Sequence, residues 1–394
     1  MKVQGARVEL ALTVVLLGVG MVAAAPSDLV DLQESEGVLR EQGDGTSLTN
    51  TERDDKVFVV LLKIQPDQCT TTDTTMTAGT CLPAKDCTNS GGTASGTCAK
   101  GFGVCCIAQR RCGSGTSYNN TYFVNPGYPS ADTGTAGACL LTVNRVNNNI
   151  CQLRLDMIDF ELSQPDTDGN CNTDFLTVAP ATAPRICGSN DGQHMYVNVD
   201  PNGGPVKVTV DRSAASTVSN RMWNIKVSQI PCDSPYRAPS GCLQYYTASS
   251  GTVSSFNFMN TIPTTGGTRQ LSNLNYGVCV EMADGYCGII WERNTTGGNY
   301  GFTVSDNAEV ILPENVGNPA SGSTGAACTT DYVIIPGGVD DTMASNDRFC
   351  GLGFPNMVTS TMKPFVLYVN QDANEAMDFS NRGFNLNYRQ ITTC

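Results

Sequence analysis

The chain has 394 residues, a formal net charge of -13, only 15% charged side chains, 40 glycines and 18 cysteines. That length accommodates two or three domains, each able to bury its own core. The polar, glycine-rich makeup suits strands joined by turns better than helical bundles. So acidic a chain lacks the basic surface that phosphate recognition needs, which argues against nucleic acid and anionic membranes as partners.

Residues 1–25 read as a secretory signal peptide. Lys2 and Arg7 supply the positive start, Leu10 to Val22 the apolar middle, and Ala23, Ala24 and Ala25 the small-residue cleavage site. The apolar run is shorter than the roughly 20 residues a membrane anchor needs, and no later stretch is long enough to span a bilayer. The expectation is a soluble, secreted, extracellular protein. Residues 26–68 form an acidic, largely disordered segment, with nine acids against three bases over 26–56. Within it, residues 57–62 (VFVVLL) are compatible with a short strand or helix.

The cysteines fall into three groups of six, a density that persists as disulfides only in oxidising compartments. The first group, Cys69, Cys81, Cys87, Cys98, Cys105 and Cys106, marks a disulfide-rich module over 69–106. So small a module has little core and must depend on its crosslinks. Spacing alone does not choose among the 15 pairings that six cysteines allow. The vicinal pair Cys105-Cys106 has no C-x-x-C context, so structural bridging is preferred over redox chemistry or zinc.

The second and third groups share flanking sequence. CNTDFLTV at Cys171 matches CTTDYVII at Cys328, and Cys187 and Cys350 are each followed by Gly. WNIKVSQIPC ending at Cys232 matches FNLNYRQITTC ending at Cys394. This duplication sets two units near 112–232 and 242–394. In both, apolar residues alternate with polar ones: Leu153, Leu155, Met157; Val206, Val208, Val210; Trp223, Ile225, Val227; Phe384, Leu386, Tyr388. Period-two alternation predicts antiparallel β-sandwiches with one face of each sheet on a core. Trp223 and Trp291 lie in such segments and are read as core. His194, the only histidine, lacks any nucleophile context and is read as structural, which argues against an enzyme. Sequons at Asn119 and Asn294 are candidate glycosylation sites.

The repeats resemble CUB domains. The resemblance rests on Cys112-Gly113-Ser114, Asn125 to Pro129 (NPGYP), Ile158 to Leu162, Cys171, Asp174 and Ile186-Cys187-Gly188. It covers 112–394, about seven-tenths of the chain. The second repeat departs from the pattern, lacking the N-P-x-Y-P stretch and placing Cys328 41 positions after Cys287, against 20 from Cys151 to Cys171. The arrangement of six-cysteine module and two repeats resembles secreted arthropod CUB proteins, and the module resembles clip-type modules. The resemblance implies an all-β fold of two jelly-roll-like sandwiches in tandem. It also implies the pairs Cys112–Cys139 and Cys171–Cys187, then Cys242–Cys279 and Cys328–Cys350, leaving Cys151–Cys232 and Cys287–Cys394 as the extra pair of each repeat.

Many CUB domains hold Ca²⁺ through a Glu before the third family cysteine, an Asp after it and an Asp in a later loop. The resemblance implies Glu161, Asp174 and Asp211 as such ligands in the first repeat, hard oxygens of the kind the ion requires. In the second repeat Asp331 matches Asp174 and Asp372 matches Asp211, but Thr303 stands where Glu161 should be. The functional expectation is a non-enzymatic extracellular protein-binding or adaptor protein, with calcium in the first repeat. Its partner would be a protein that presents a basic side chain. The alternative is a structural or innate-defence component of cuticle, gut lining or haemolymph that modulates protease cascades.

Overall fold

A computed structural model describes residues 64–394 apart from 135, 214–219, 262–266, 297, 374 and 376–377. The segment read as a signal peptide, the apolar run 57–62 and nearly all of the acidic stretch lie outside the described residues. The period-two segments are strands, because successive side chains of an extended chain point to opposite faces. Val206, Val208 and Val210 are buried while Lys207 between them is exposed.

The cysteine module supplies β1 (Gln68–Thr70), β2 (Ala78–Leu82), the short helix α1 (Ala84–Asn89), β3 (Thr93–Cys98) and β4 (Gly103–Arg110). Its bridges are Cys69–Cys105, Cys81–Cys98 and Cys87–Cys106. The adjacent Cys105 and Cys106 reach different partners because successive strand residues face opposite ways. Read from sequence as reliant on crosslinks alone, the module also leans on the first repeat. Strand β4 pairs in parallel with the first repeat's residues 121–123, and the Tyr122 hydroxyl donates to the Ala78 carbonyl at 2.9 Å. Met76, Ile107, Tyr122 and Val124 bury a shared apolar cluster.

The first repeat supplies β5 (Ser114–Thr116), β6 (Thr121–Val124), β7 (Cys139–Val143), β8 (Ile150–Glu161), β9 (Phe175–Ala179), β10 (His194–Asn198), β11 (Val206–Asp211) and β12 (Met222–Pro231). One sheet runs β6-β12-β8-β10 and continues through β4 into the module; the other runs β5-β7-β11-β9. Their apolar faces enclose Phe123, Leu141, Leu153, Leu155, Val208 and Trp223, the arrangement of a β-sandwich. Bridges Cys112–Cys139, Cys151–Cys232 and Cys171–Cys187 close within it.

The second repeat supplies β13 (Cys242–Tyr246), β14 (Ser250–Ser254), β15 (Asn275–Val280), β16 (Gly288–Arg293), β17 (Phe302–Thr303) and β18 (Gly322–Thr324). It continues with β19 (Tyr332–Ile334), β20 (Val339–Asp340), β21 (Arg348–Gly351), β22 (Val358–Ser360), β23 (Phe365–Asn370) and β24 (Gly383–Ile391). The sheets are β13-β15-β23-β19-β21-β18 and β14-β24-β16-β22-β20, with β17 on β24. Trp291, Phe302, Leu367 and Leu386 are fully buried in this core. Its bridges are Cys242–Cys279, Cys287–Cys394 and Cys328–Cys350, and no cysteine among the described residues is left unpaired. The glycines after Cys187 and Cys350 take φ of +75° and +85°, a left-handed conformation that a Cβ disfavours.

The repeats meet along β10 and β13. His194 is buried there, its Nε2 3.0 Å from both the N and the O of Tyr245, with Tyr196 and Tyr246 edge-on to its ring. Asn257 of the second repeat accepts from Ser189 N at 2.8 Å and donates its own N–H to Asn190 Oδ1 at 2.8 Å. Burial first, and then nearby Arg154, pull the His194 pKa down to about 4; Asp156 and the Tyr245 backbone oppose this. Native His194 therefore stays neutral where an unfolded one, near 6.5, takes a proton. Stability is complete above about pH 6.5 and falls between there and about pH 4, by about 3 kcal/mol in all. Thermal melts across that window are expected to show a steeper loss for the native chain than for His194→Gln. Equal slopes would remove His194 as the cause.

Candidate metal centre

In the first repeat, Asp174 sits one residue before β9 and is fully buried. It accepts from Ser163 Oγ at 2.6 Å, from Ser213 N at 2.9 Å and from Arg221 Nη1 at 3.3 Å. Arg221, one residue before β12, also reaches Asp132 Oδ2 at 3.1 Å and the Gly134 carbonyl at 3.0 Å. Arg212 pairs with the same Asp132 oxygen at 3.2 Å. Glu161 lies at the end of β8, bridged to Ser189, and Asp211 ends β11 opposite Phe175. The structure does not gather the oxygens of Glu161, Asp174 and Asp211 into a common cluster. A guanidinium holds Asp174 where the resemblance implies an ion, and Arg221, 47 positions away in sequence, carries no local signal of that role.

The second repeat holds the converse arrangement. Asp331, the repeat counterpart of Asp174, lies one residue before β19. Glu375 and Asp378 come from the segment joining β23 to β24. One oxygen of each lies within 4.8 Å of the others, and all three residues are buried. An ion at about 2.4 Å from each oxygen spans ligand pairs up to about 4.8 Å apart, so the spacing suits a shared hard cation. Asp331 accepts from Asp372 N at 2.7 Å and from Gln270 Nε2. Asp378 accepts from Asp306 N. Glu375 is fully buried, and among the described residues no N–H or hydroxyl donor reaches either of its oxygens, whose nearest polar neighbours are the other carboxylates.

Among the described residues no Lys or Arg pairs with these three carboxylates. Burial pushes Asp331, Glu375 and Asp378 up from the usual carboxylate range, and repulsion from nearby carboxylates adds to it: Asp372 and Asp378 act on Asp331, Asp331 and Asp378 on Glu375, and Asp306 and Asp372 on Asp378. Carboxylates so placed are relieved only by sharing a proton or a cation. Thr303 is buried and its Oγ1 accepts from Arg382 N at 2.9 Å; Glu375, not a residue of that strand, is the third acid of the cluster. Asp372 contributes its backbone N–H to Asp331 and is not one of the clustered three. The visible signal for the site is the run Asp372, Glu375, Asp378; Arg382 stands at the repeat position of Arg221, but its guanidinium lies over the Tyr300 ring.

The remaining candidate positions fall elsewhere. Asn119 is half-buried and its Oδ1 accepts from Gln229 N at 2.7 Å. Asn294 donates from Nδ2 to Asn385 Oδ1 at 2.9 Å, so a glycan there would leave a single N–H for that bond. Trp223 and Trp291 are core residues. No helix of the described residues is long and apolar enough to cross a membrane.

The animal CUB domain family model matches residues 239–391, which is the second repeat, the one whose sequence departs further from the family pattern. No curated protein matches the chain. Among solved structures it is similar to the CUB1-EGF-CUB2 domains of rat MASP-1, at 13% identity, 70% of this chain, 99% of that one and a TM-score of 0.24. It is also similar to the CUB1-EGF-CUB2 domain of human MASP-1/3, at 16% identity over 68% and 98% of the chains with a TM-score of 0.24. The full extracellular region of zebrafish Gpr126/Adgrg6 matches at 12% identity over 71% of this chain and 37% of that one, TM-score 0.26.

Proposed function

We propose, from a second repeat that matches the animal CUB domain, that the chain is a non-enzymatic extracellular protein-binding module. On this reading it is secreted, with a disulfide-rich unit at 69–106 and sandwich units at 112–232 and 242–394. The second repeat holds Ca²⁺ through Asp331, Glu375 and Asp378. The observation that carries the metal reading is Glu375, fully buried beside two further carboxylates and reached by no N–H or hydroxyl donor among the described residues. An all-oxygen donor set selects a hard cation, and the six to eight ligands of Ca²⁺ leave room for backbone carbonyls and water. The ion would cancel the repulsion among the three acids and fix the loops that carry them; it performs no reaction. Bridged cysteines fit an oxidising compartment, and the charge of -13 favours a partner that offers basic side chains.

The immobilised full chain is expected to retain a defined set of extracellular proteins in calcium and release it on chelation. Retention unaffected by chelation and by Asp331→Asn would separate binding from the metal. No retention at all would overturn the binding reading.

A further inference from the structure

The interval between Cys287 and Cys328 is where the second repeat is longer than the first, and the extra length projects a loop between β17 and β18. The loop is clamped at its base: Val304 N donates to the Gly351 carbonyl at 3.1 Å and Gly317 N to the Leu352 carbonyl at 2.6 Å. Val304, Ala308 and Val316 are buried, yet Val310 and Leu312 at the tip are 81% and 61% exposed. Val310 and Leu312 lie two positions apart in this loop, and neighbouring exposed apolar side chains mark contact surfaces more often than scattered ones do.

Four hydrogen bonds tie the loop to residues 378–381, and one of them reaches the acidic cluster itself, at Asp378. Asp306 N donates to Asp378 Oδ1 at 2.5 Å, and Asn381 Nδ2 donates to the Asp306 carbonyl at 2.9 Å. Ala308 N donates to the Phe379 carbonyl at 2.9 Å, and Ser380 Oγ to Glu309 Oε1 at 2.7 Å. Asp306 has φ of +71°, a conformation that a non-glycine residue keeps only when its surroundings hold it. Residues 378–381 are therefore the platform on which 306–309 rest, and Asp378 belongs both to that platform and to the cation cluster.

We propose that Val310 and Leu312 form a contact tip whose pose is set by the cation cluster, and that it fits an apolar pocket bounded by Lys or Arg on a protein partner. The apolar pocket follows from the two exposed side chains. The basic boundary follows from Glu309 and Glu314, which bracket the tip on a chain of net charge -13. The acids also disfavour an anionic membrane. This inference rests on the metal reading above.

The test uses the full chain and two readouts. Amide hydrogen exchange over 304–317 is expected to slow about five-fold or more when Ca²⁺ is added, and not to respond in Asp378→Asn. Binding is probed with β-cyclodextrin bearing a ring of primary amines, an apolar cavity with a cationic rim. In calcium it is expected to bind at least about five-fold more tightly than a sulfated ring, and Leu312→Asp or Val310→Ala is expected to weaken it comparably. Calcium binding with unchanged exchange in the loop overturns this inference alone; no calcium binding overturns the metal reading instead. Equal affinity for the two rings removes the basic boundary, and capture by phosphatidylserine vesicles that Leu312→Asp abolishes assigns the tip to a membrane and overturns the protein partner.

Discussion

Replacing Arg221 by Met is expected to destabilise the first repeat by about 3–5 kcal/mol, because it strips a buried carboxylate of its countercharge. Asp174 still accepts from Ser163 and Ser213, while Asp132 retains Arg212. The cost falls chiefly on Asp174, so the pair Arg221→Met, Asp174→Asn is expected to recover most of it. Denaturant unfolding followed by tryptophan fluorescence reads the result through Trp223, buried in that core. A loss below about 1 kcal/mol would mean that water or another cation replaces the guanidinium, since surface-like pairs are worth no more than that.

In the second repeat a substitution at a buried acid is expected to act in the opposite direction. Glu375→Gln removes a carboxyl that burial and Asp331 hold above its ordinary range. A raised folded pKa favours the native state below the unfolded value, and that advantage is lost as pH rises toward the folded one. At neutral pH, without calcium, the native chain therefore carries strain from these acids, and Glu375→Gln is expected to melt higher than the wild type. The gap closes as pH falls toward about 4.5, where the unfolded wild-type carboxyl also takes up a proton. Calcium reverses the order: at about one hundred times its dissociation constant it adds about 2.7 kcal/mol to the wild type and little to the variant. A variant less stable than the wild type without calcium, and equally responsive to it, would leave Glu375 a packing residue.

The opposite fates of two matching aspartates explain what could be read from the sequence. The alternation of Leu153, Leu155 and Met157, and of Trp223, Ile225 and Val227, was legible because burial in a sandwich follows residue parity, and all six are buried. Parity does not say which strand edges meet. The parallel pairing of β4 with β6 joins the cysteine module to the first sheet through backbone groups common to every residue. The His194 and Asn257 contacts between repeats likewise pair residues 51 and 67 or 68 positions from their partners. Asp174 and Asp331 share a local motif, Cys-x-Thr-Asp, yet their charge environments come from distant segments. Arg221 closes on one, whereas Glu375 and Asp378 close on the other. Local motifs place a carboxylate; only the fold shows whether a base or another acid faces it.

The most direct measurement is a calorimetric Ca²⁺ titration of the full chain beside Glu375→Gln, Asp331→Asn and Glu161→Gln. Saturable binding is expected in the wild type and in Glu161→Gln, and flat traces in the other two. A flat wild-type trace, or binding that disappears with Glu161 and survives without Glu375, would contradict a cation held by the second repeat.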